Sequence, residues 1–457
     1  MTNRLDRDFH LPGLLRFALP TIIMMLVVSL YTIVDGVLIA RLVGENALAA
    51  ANVAYPAISF TLAMGIMLGT GGSAVVAHKM GAGYLEEARR DFGFLALVAV
   101  CIGLAVCLAG ALFAGPLARL LGASDLLLDD TVTYLRVQLC FAPMAMLQLL
   151  FESFFVTAGR PGLGLGLATA AGVTNAVLDY LYMGPMQMGI LGAALGTVTG
   201  YSIPAVAGGL FFLLRRQGLR FGRPHGDLRM LGRACFNGAS EMVTNLSMAV
   251  TTFLFNAIMM AYLGEAGVSA ITIVLYAQFL LVALYMGFSM GVAPVFSFNR
   301  GAGRYDRMRR IFGYCLRFIL VSSVAILAVA LALSGVVVGI FSTPGSPVYA
   351  IALDGFRRFA PAFLFAGVNI FSSALFTALS DGRTSAIISF ARTFGFLLLG
   401  LLLLPRLLEV DGVWLAVPLA ELLSCLLSVW FLRRKRADFG FGGGDLPRHG
   451  GRGGGRI

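Results

Sequence analysis

The sequence predicts an all-α integral membrane protein: twelve transmembrane helices in two six-helix lobes, related by a pseudo-twofold axis along the membrane normal. Three observations predict it. The chain of 457 residues is 58% hydrophobic and 12% charged, a balance suited to a bilayer and foreign to a water-soluble fold. Apolar runs of about 20 residues, enough to cross the hydrocarbon core, recur from end to end. The chain also repeats itself at a constant offset of 220 residues. Gly44-Glu45 pairs with Gly264-Glu265, Gly81-Ala82-Gly83 with Gly301-Ala302-Gly303, and Arg89-Arg90-x-Phe92-Gly93 with Arg309-Arg310-x-Phe312-Gly313. Six spans per half is an even number, so both halves share one orientation, with a cavity expected between them, as in parallel-repeat transporters.

Span 1 (14–43) is an apolar run that holds Pro20, which permits a bend, and Asp35. Span 2 (48–77) leads into a basic loop, 79–90. Span 3 (92–114) and span 4 (131–157) follow, with Arg160 in the next turn. Span 5 (163–183) turns at Gly184-Pro185 into span 6 (189–214), whose run GILGAALGTVTG lets a neighbouring helix approach closely. A long basic loop separates the halves. Spans 7 to 12 cover 236–262, 268–298, 311–341, 350–378, 385–404 and 413–432. The domains are accordingly an N-terminal lobe at 1–214, a cytoplasmic linker at 215–233, a C-terminal lobe at 234–432 and a disordered basic cytoplasmic tail at 433–457.

Charge sets the orientation. The termini and the loops after even-numbered spans carry 26 of the 34 basic residues. That bias predicts both termini in the cytoplasm and a multi-pass protein of the inner (plasma) membrane. It also explains the net charge of +11 without nucleic acid. The Gly/Arg-rich tail reads as a basic segment near anionic headgroups. The first apolar run is too long for a signal peptide's core and lacks a small-residue cleavage pattern. Six cysteines fall in apolar runs with no CxxC spacing, which points to buried thiols and to neither disulfides nor a metal site. None of the four histidines lies deep in a span, and no nucleophile–base pair occurs, so an intramembrane enzyme is not expected.

The chemistry is expected at carboxylates inside spans, which are costly there and mark ion or substrate paths by default. Asp35 lies roughly 12 Å and Asp179 roughly 9 Å below the outer surface, at about 1.5 Å per residue. Asn175 is four residues before Asp179 and so shares its helix face. Thr197 in span 6 adds a hydroxyl. Two carboxylates, an amide and a hydroxyl form an all-oxygen set, suited to a monovalent cation such as Na+ or to a proton shared between the acids. The second half lacks these acids, since Phe255 stands opposite Asp35 in the repeat and Leu399 opposite Asp179. Met64, Met67, Met286 and Met290 are packing residues whose adaptable thioethers also suit a promiscuous cavity. Glu421 reads as a helix–helix hydrogen-bonding group, and Arg317 and Arg392 are left inside spans without an assigned partner.

The Pro20…Asp35-Gly36…Gly44 span, the Gly81-Ala-Gly83 loop with its repeat at Gly301, and Asn175-x-x-x-Asp179 with Thr197 together resemble the multidrug and toxic compound extrusion (MATE) transporters. The resemblance covers nearly the whole chain and implies that Asp35, Asn175, Asp179 and Thr197 bind Na+ or H+ as the coupling ion, with no other cofactor. It also matches Tyr134 to a tyrosine near that site. Glu152 stands where similar members often carry a neutral amide, a departure that adds a third acid or shifts ion preference. Glu241 matches an acid that some members use in the second lobe, and by position alone reads equally well as an interfacial residue. The function implied is antiport: export of small, cationic, amphiphilic drugs for H+ or Na+ by a monomer. The alternative is a flippase for lipid-linked precursors of the same architecture, which the scarcity of basic residues inside the spans disfavours.

Overall fold

A computed structural model describes residues 4–439, and among these no strand occurs. After one 3-10 turn (Arg4–Asp6), the first half holds α1 (Leu11–Leu42), α2 (Glu45–Gly81), α3 (Leu85–Leu120), α4 (Leu128–Cys140), α5 (Ala142–Thr157), α6 (Pro161–Met183) and α7 (Gly189–Leu214). The second half holds α8 (Leu228–Gly301), α9 (Tyr305–Ala332), α10 (Ser334–Phe341), α11 (Pro347–Phe359), α12 (Ala362–Ala378), α13 (Gly382–Phe390), a π-helical segment (Ala391–Leu397) and α14 (Leu398–Arg434).

These elements make twelve spans. Eight continuous helical stretches are long and apolar enough to cross a membrane, and two bent pairs, α4–α5 and α11–α12, make up two more. Two of the eight are themselves double. At Gly264 (φ 62°) α8 folds back on itself: a Cβ placed on Gly267 would lie 2.9 Å from the Met259 carbonyl oxygen, whereas eight residues of unbroken helix span about 12 Å. Glycine takes that φ without a Cβ penalty. The same reversal occurs in α14 at Glu409 (φ 51°), which brings Gly412 within 2.7 Å of the Pro405 nitrogen by the same construction.

The bends inside spans 4 and 10 lie beside prolines. α4 and α5 meet at 54° next to Pro143, and α11 and α12 at 55° next to Pro361; a proline cannot donate to the preceding turn and crowds it. By contrast, α1 runs unbroken through Pro20. Several boundaries differ from the sequence reading. Span 9 is broken at Leu333, between α9 and α10. The region read as linker becomes helical at Leu228, where the Asp227 carboxylate caps α8 by accepting from the Arg229 and Met230 amides at 2.9 and 3.1 Å. The tail's first residues are packed: Phe439 is buried under Arg300, and Lys435 pairs with Asp381. The rest of the tail, 440–457, lies outside the described residues.

The two halves meet along α1 and α2 on one side and α8 on the other. At one face of the molecule this contact is backbone against backbone, and it obeys the 220-residue offset. A Cβ on Gly81 would run into the Phe298 carbonyl, and a Cβ on Gly301 into the His78 carbonyl. The basic residues gather at this face. The Asp6 carboxylate pairs with Arg304 and Arg307, and Asp8 with Arg310 at 3.1 Å, so the segment before α1 is tied to the second half. The segment before α8 is tied to the first half: Gly222 N–H donates to the Arg89 carbonyl (3.0 Å), and Phe221 stacks on Phe92.

Candidate functional site

The first half's polar cluster forms where α6 presses onto α7 and α1. Gly192, Gly196 and Gly200 stand four residues apart on α7, and α6 fills the groove they leave. Gly196 faces the Asp179 carboxylate so closely that a Cβ there would collide with it, and Gly200 lies against Asn175. On α6, Gly172 receives the Tyr31 ring of α1. One turn on from Tyr31, Asp35 therefore faces α6 as well.

The outcome is a close pair of carboxyl groups. Asp35 and Asp179 lie within hydrogen-bonding reach of each other. Asn175 Nδ2 donates to Asp179 Oδ2 at 2.8 Å. Asp179 and Asn175 are buried at 0% and 4% exposure. Asp35 Oδ1 and Asp179 Oδ1 are buried with no hydrogen-bond donor. Two carboxylates cannot donate to one another, so this arrangement is satisfied only with a proton or a cation between them. The donor set of buried oxygens fits a hard monovalent ion. Thr197 is less engaged than its spacing suggests: its hydroxyl donates to the Ala193 carbonyl (3.0 Å), leaving its oxygen only to accept.

Tyr134 is buried, bonded to Gln138, and within range of the Asp35 charge. Glu152 does not join the aspartate pair. It is buried on α5, accepts from Gln148 Nε2 at 3.0 Å, and lines a cavity of about 260 Å³ between the halves. Three residues that the sequence reading did not single out bridge the gap. Tyr31 lies within reach of Gln148, and Tyr201 is close enough to feel both Asp35 and Glu152. Tyr31 precedes Asp35, Gln148 precedes Glu152, and Tyr201 follows Thr197, each by four residues. That shared face was the available signal. The result is a polar path from the aspartate pair to the cavity.

Glu241 lies thirteen residues into α8, about 20 Å along its axis, and lines the same cavity from the second half. Glu421 finds the partner it lacked: Arg392 donates to it at 2.6 Å, and Asn369 at 2.7 Å. Met286 and Met290 line the cavity, as does Met25, whereas Met64 packs against the core and Met67 lies with its backbone against Gly238 of α8. Among the described residues no cluster of histidine, cysteine and acidic groups could hold a multivalent metal.

Comparison with known proteins places this architecture among transporters. The sequence model of the MatE family matches residues 20–181 and 242–402, one copy per half. The multidrug export protein MepA of Staphylococcus aureus (strain NCTC 8325 / PS 47) is 24% identical over 438 residues, covering 92% of this chain and 94% of MepA. A solved outward-facing multidrug resistance MATE family transporter of the MOP superfamily superposes with a TM-score of 0.87 at 18% identity, over 93% of this chain and 96% of that one. A MOP superfamily transporter from Pyrococcus furiosus, described as having a binding pocket of reversed polarity, gives 0.86 at 19% identity over the same shares.

Proposed function

Because the chain belongs to the MatE family, we propose that it is a secondary active antiporter that exports small amphiphilic organic cations from the cell across the plasma membrane in exchange for H+ or Na+. The observation that carries this reading is the Asp35–Asp179 pair, buried, in contact and short of donors. In this reading the lobes are 1–214 and 234–432, the linker 215–233 and both termini are cytoplasmic, and the protein works as a monomer by alternating access.

Each group then has a task. Asp35 and Asp179 take up one H+ or Na+, with Asn175 holding Asp179 in place by its amide. The organic cation sits in the cavity between the halves, against Glu152 and Glu241 and among Met25, Met286 and Met290. Loading the aspartate pair cancels charge that otherwise attracts α6 to any cation nearby. α1 then pivots at Pro20 and carries Tyr31 away from Gln148, which alters the cavity wall at Glu152. The two cargoes thus favour different states, and antiport follows from that difference in affinity. Energetics bound the exchange. One H+ for one monovalent cation moves no net charge, so each pH unit supplies about 1.4 kcal/mol, near tenfold enrichment. A second H+ adds about 2.3 kcal/mol per 100 mV of membrane potential.

The acidic lining of the cavity supports a cationic cargo over a pyrophosphate-linked lipid, which would call for several basic residues there. The test is uptake and release of a fluorescent organic cation by proteoliposomes under imposed H+ or Na+ gradients. Wild-type protein should respond to at least one gradient, and Asp35→Asn and Asp179→Asn to neither. Equal transport by wild type and both variants would overturn the reading.

A further inference from the structure

One corner of the basic face is built differently in the two halves. Where α5 turns into α6, residues 157–162 read TAGRPG; at the offset of 220, where α12 turns into α13, residues 377–382 read TALSDG. A basic residue follows the last helix of each half at the same offset, Arg215 after α7 and Lys435 after α14. The second half neutralises its corner from within: Lys435 Nζ pairs with the Asp381 carboxylate and donates to Thr384 Oγ1 at 2.6 Å. In the first half Pro161 stands in the place of Asp381, and Arg160 in the place of Ser380. The acid is absent there, and a second base stands next to its position.

Arg215 is therefore left without a counter-ion. Its Nη2 donates to the Ala158 carbonyl at a long 3.5 Å, and its Nη1 is buried with no acceptor. Burial, and then the nearby charges of Arg160 and Arg89, push its guanidinium down from the ordinary value. Arg89 is satisfied: it pairs with Glu86, and its Nε donates to the Gly218 carbonyl at 2.8 Å. That pair recurs in the second half as Arg309 with Asp306, so it is not where the halves differ. Among the described residues no carboxylate pairs with Arg160 or Arg215. Two adjacent guanidinium groups repel unless an anion joins them. The corner is also uncovered. A Cβ on Gly382 would lie 2.7 Å from the Phe236 carbonyl oxygen, whereas around Gly162 nothing lies within 4 Å. Leu210, Leu213 and Leu214, in the last turns of α7, are exposed beside it.

We propose that this corner binds one anionic phospholipid, whose phosphodiester takes the place that the Asp381 carboxylate holds in the second half and joins Arg160 to Arg215. Guanidinium groups match phosphate geometry, and basic pockets at helix ends on one side of a membrane protein recruit anionic headgroups. The acyl chains lie along the exposed leucines of α7. A lipid is favoured over free phosphate because the two charges stand at the end of an apolar, uncovered helix face. Phosphatidylethanolamine brings its own ammonium group to the two arginines and binds more weakly than phosphatidylglycerol, which brings none. Because Arg215 opens the segment between the halves, and Gly218 of that segment is held by Arg89, the bound lipid also pins this segment to the first half.

The test is native mass spectrometry of the purified full-length protein in detergent, titrated with dioleoyl phosphatidylglycerol or dioleoyl phosphatidylethanolamine. Wild-type protein should take up one phosphatidylglycerol ahead of all others and prefer it to phosphatidylethanolamine. Arg160→Ser/Pro161→Asp rebuilds the second half's corner in the first and gives Arg215 an internal acid. It changes the local charge by two, and at about fivefold per charge it should weaken phosphatidylglycerol by about twentyfold while leaving phosphatidylethanolamine nearly unchanged. Arg160→Gln alters one exposed side chain, so folding is not at stake, and should weaken phosphatidylglycerol by about fivefold. Arg433→Gln/Arg434→Gln removes two charges from the other half's helix end and should leave the first lipid bound as before. Equal affinity for the two lipids in wild type, undiminished phosphatidylglycerol binding in Arg160→Gln, or an equal loss in Arg433→Gln/Arg434→Gln would each overturn the proposal. So would displacement of the lipid by millimolar inorganic phosphate, which would make the corner a site for the free anion.

Discussion

The glycines of the 81 and 301 loops are predicted to hold the basic face shut, and adding two methyl groups should open it. In the structure a Cβ on Gly81 would lie 2.8 Å from the carbonyl carbon of Phe298 and closer still to its oxygen, and a Cβ on Gly301 stands in the same relation to His78. Carbon atoms rest about 3.5–4.0 Å apart, and here the obstacle is backbone, which cannot rotate away. The halves must therefore separate by roughly 1 Å at this point. Overpacking of this kind costs about 1–3 kcal/mol. Charged to one state of a two-state protein, that shifts the conformational equilibrium by a factor of about 5–150. The assay is a distance distribution between spin labels at Glu86→Cys and Asp306→Cys, exposed positions related by the same offset of 220, with the six native cysteines replaced. Gly81→Ala/Gly301→Ala should convert a short, narrow distribution into a longer one. Gly162→Ala/Gly313→Ala adds the same two methyls where nothing lies within 4 Å, and should leave the distribution as it was. A distribution that does not lengthen in Gly81→Ala/Gly301→Ala refutes the argument that backbone contact closes this face.

Three further outcomes are expected. Gly196→Ala drives a methyl into the Asp179 carboxylate and should abolish ion-coupled transport at a stability cost of about 1–3 kcal/mol, whereas Gly209→Ala on the same helix, with its nearest neighbour 3.9 Å away, should transport normally; rate assays beside thermal melts separate the two. Glu152→Gln keeps a hydrogen-bonding partner for Gln148 but removes the charge that faces the cargo, and should lower transport of an organic cation; transport at the wild-type rate in proteoliposomes would exclude Glu152 from the cargo site. For topology, an impermeant thiol reagent applied to intact cells should label Gln187→Cys and not Gln217→Cys, and labelling of the latter would invert the proposed orientation.

What could be read from the sequence was what is local. Span lengths and the 220-residue repeat depend on hydropathy and composition; they anticipated the twelve spans and marked Gly81 and Gly301 as equivalent positions, though not that each presses on the other half's backbone. Asp35, Asn175 and Asp179 stood out because polar groups are rare in apolar runs and because four-residue spacing fixes a helix face. Tyr31, Gln148 and Tyr201 were overlooked since tyrosine and glutamine in a span carry no such alarm until a neighbouring helix is known. Arg392 and Glu421 lie 29 residues apart on different spans, and nothing in the sequence pairs them. Thr197 shows a limit of spacing: its position is suggestive, but only the structure shows that its hydroxyl proton goes to its own helix and that its oxygen is left to accept. The bends beside Pro143 and Pro361 had a visible cause, yet hydropathy averages across a bent span as readily as across a straight one.

In antiport of this kind one ion at Asp35 and Asp179 and one organic cation in the cavity exclude each other. Proton release on substrate binding measures this most directly. Purified protein in weakly buffered detergent, free of Na+, is titrated with an organic cation while the pH is followed. About one proton should be released per bound substrate near neutral pH; Na+ present beforehand should suppress that release if Na+ shares the site, and Asp35→Asn/Asp179→Asn should lose it with substrate binding retained. Substrate binding that releases no proton and is indifferent to Na+, or release that persists undiminished in the double variant, would contradict it.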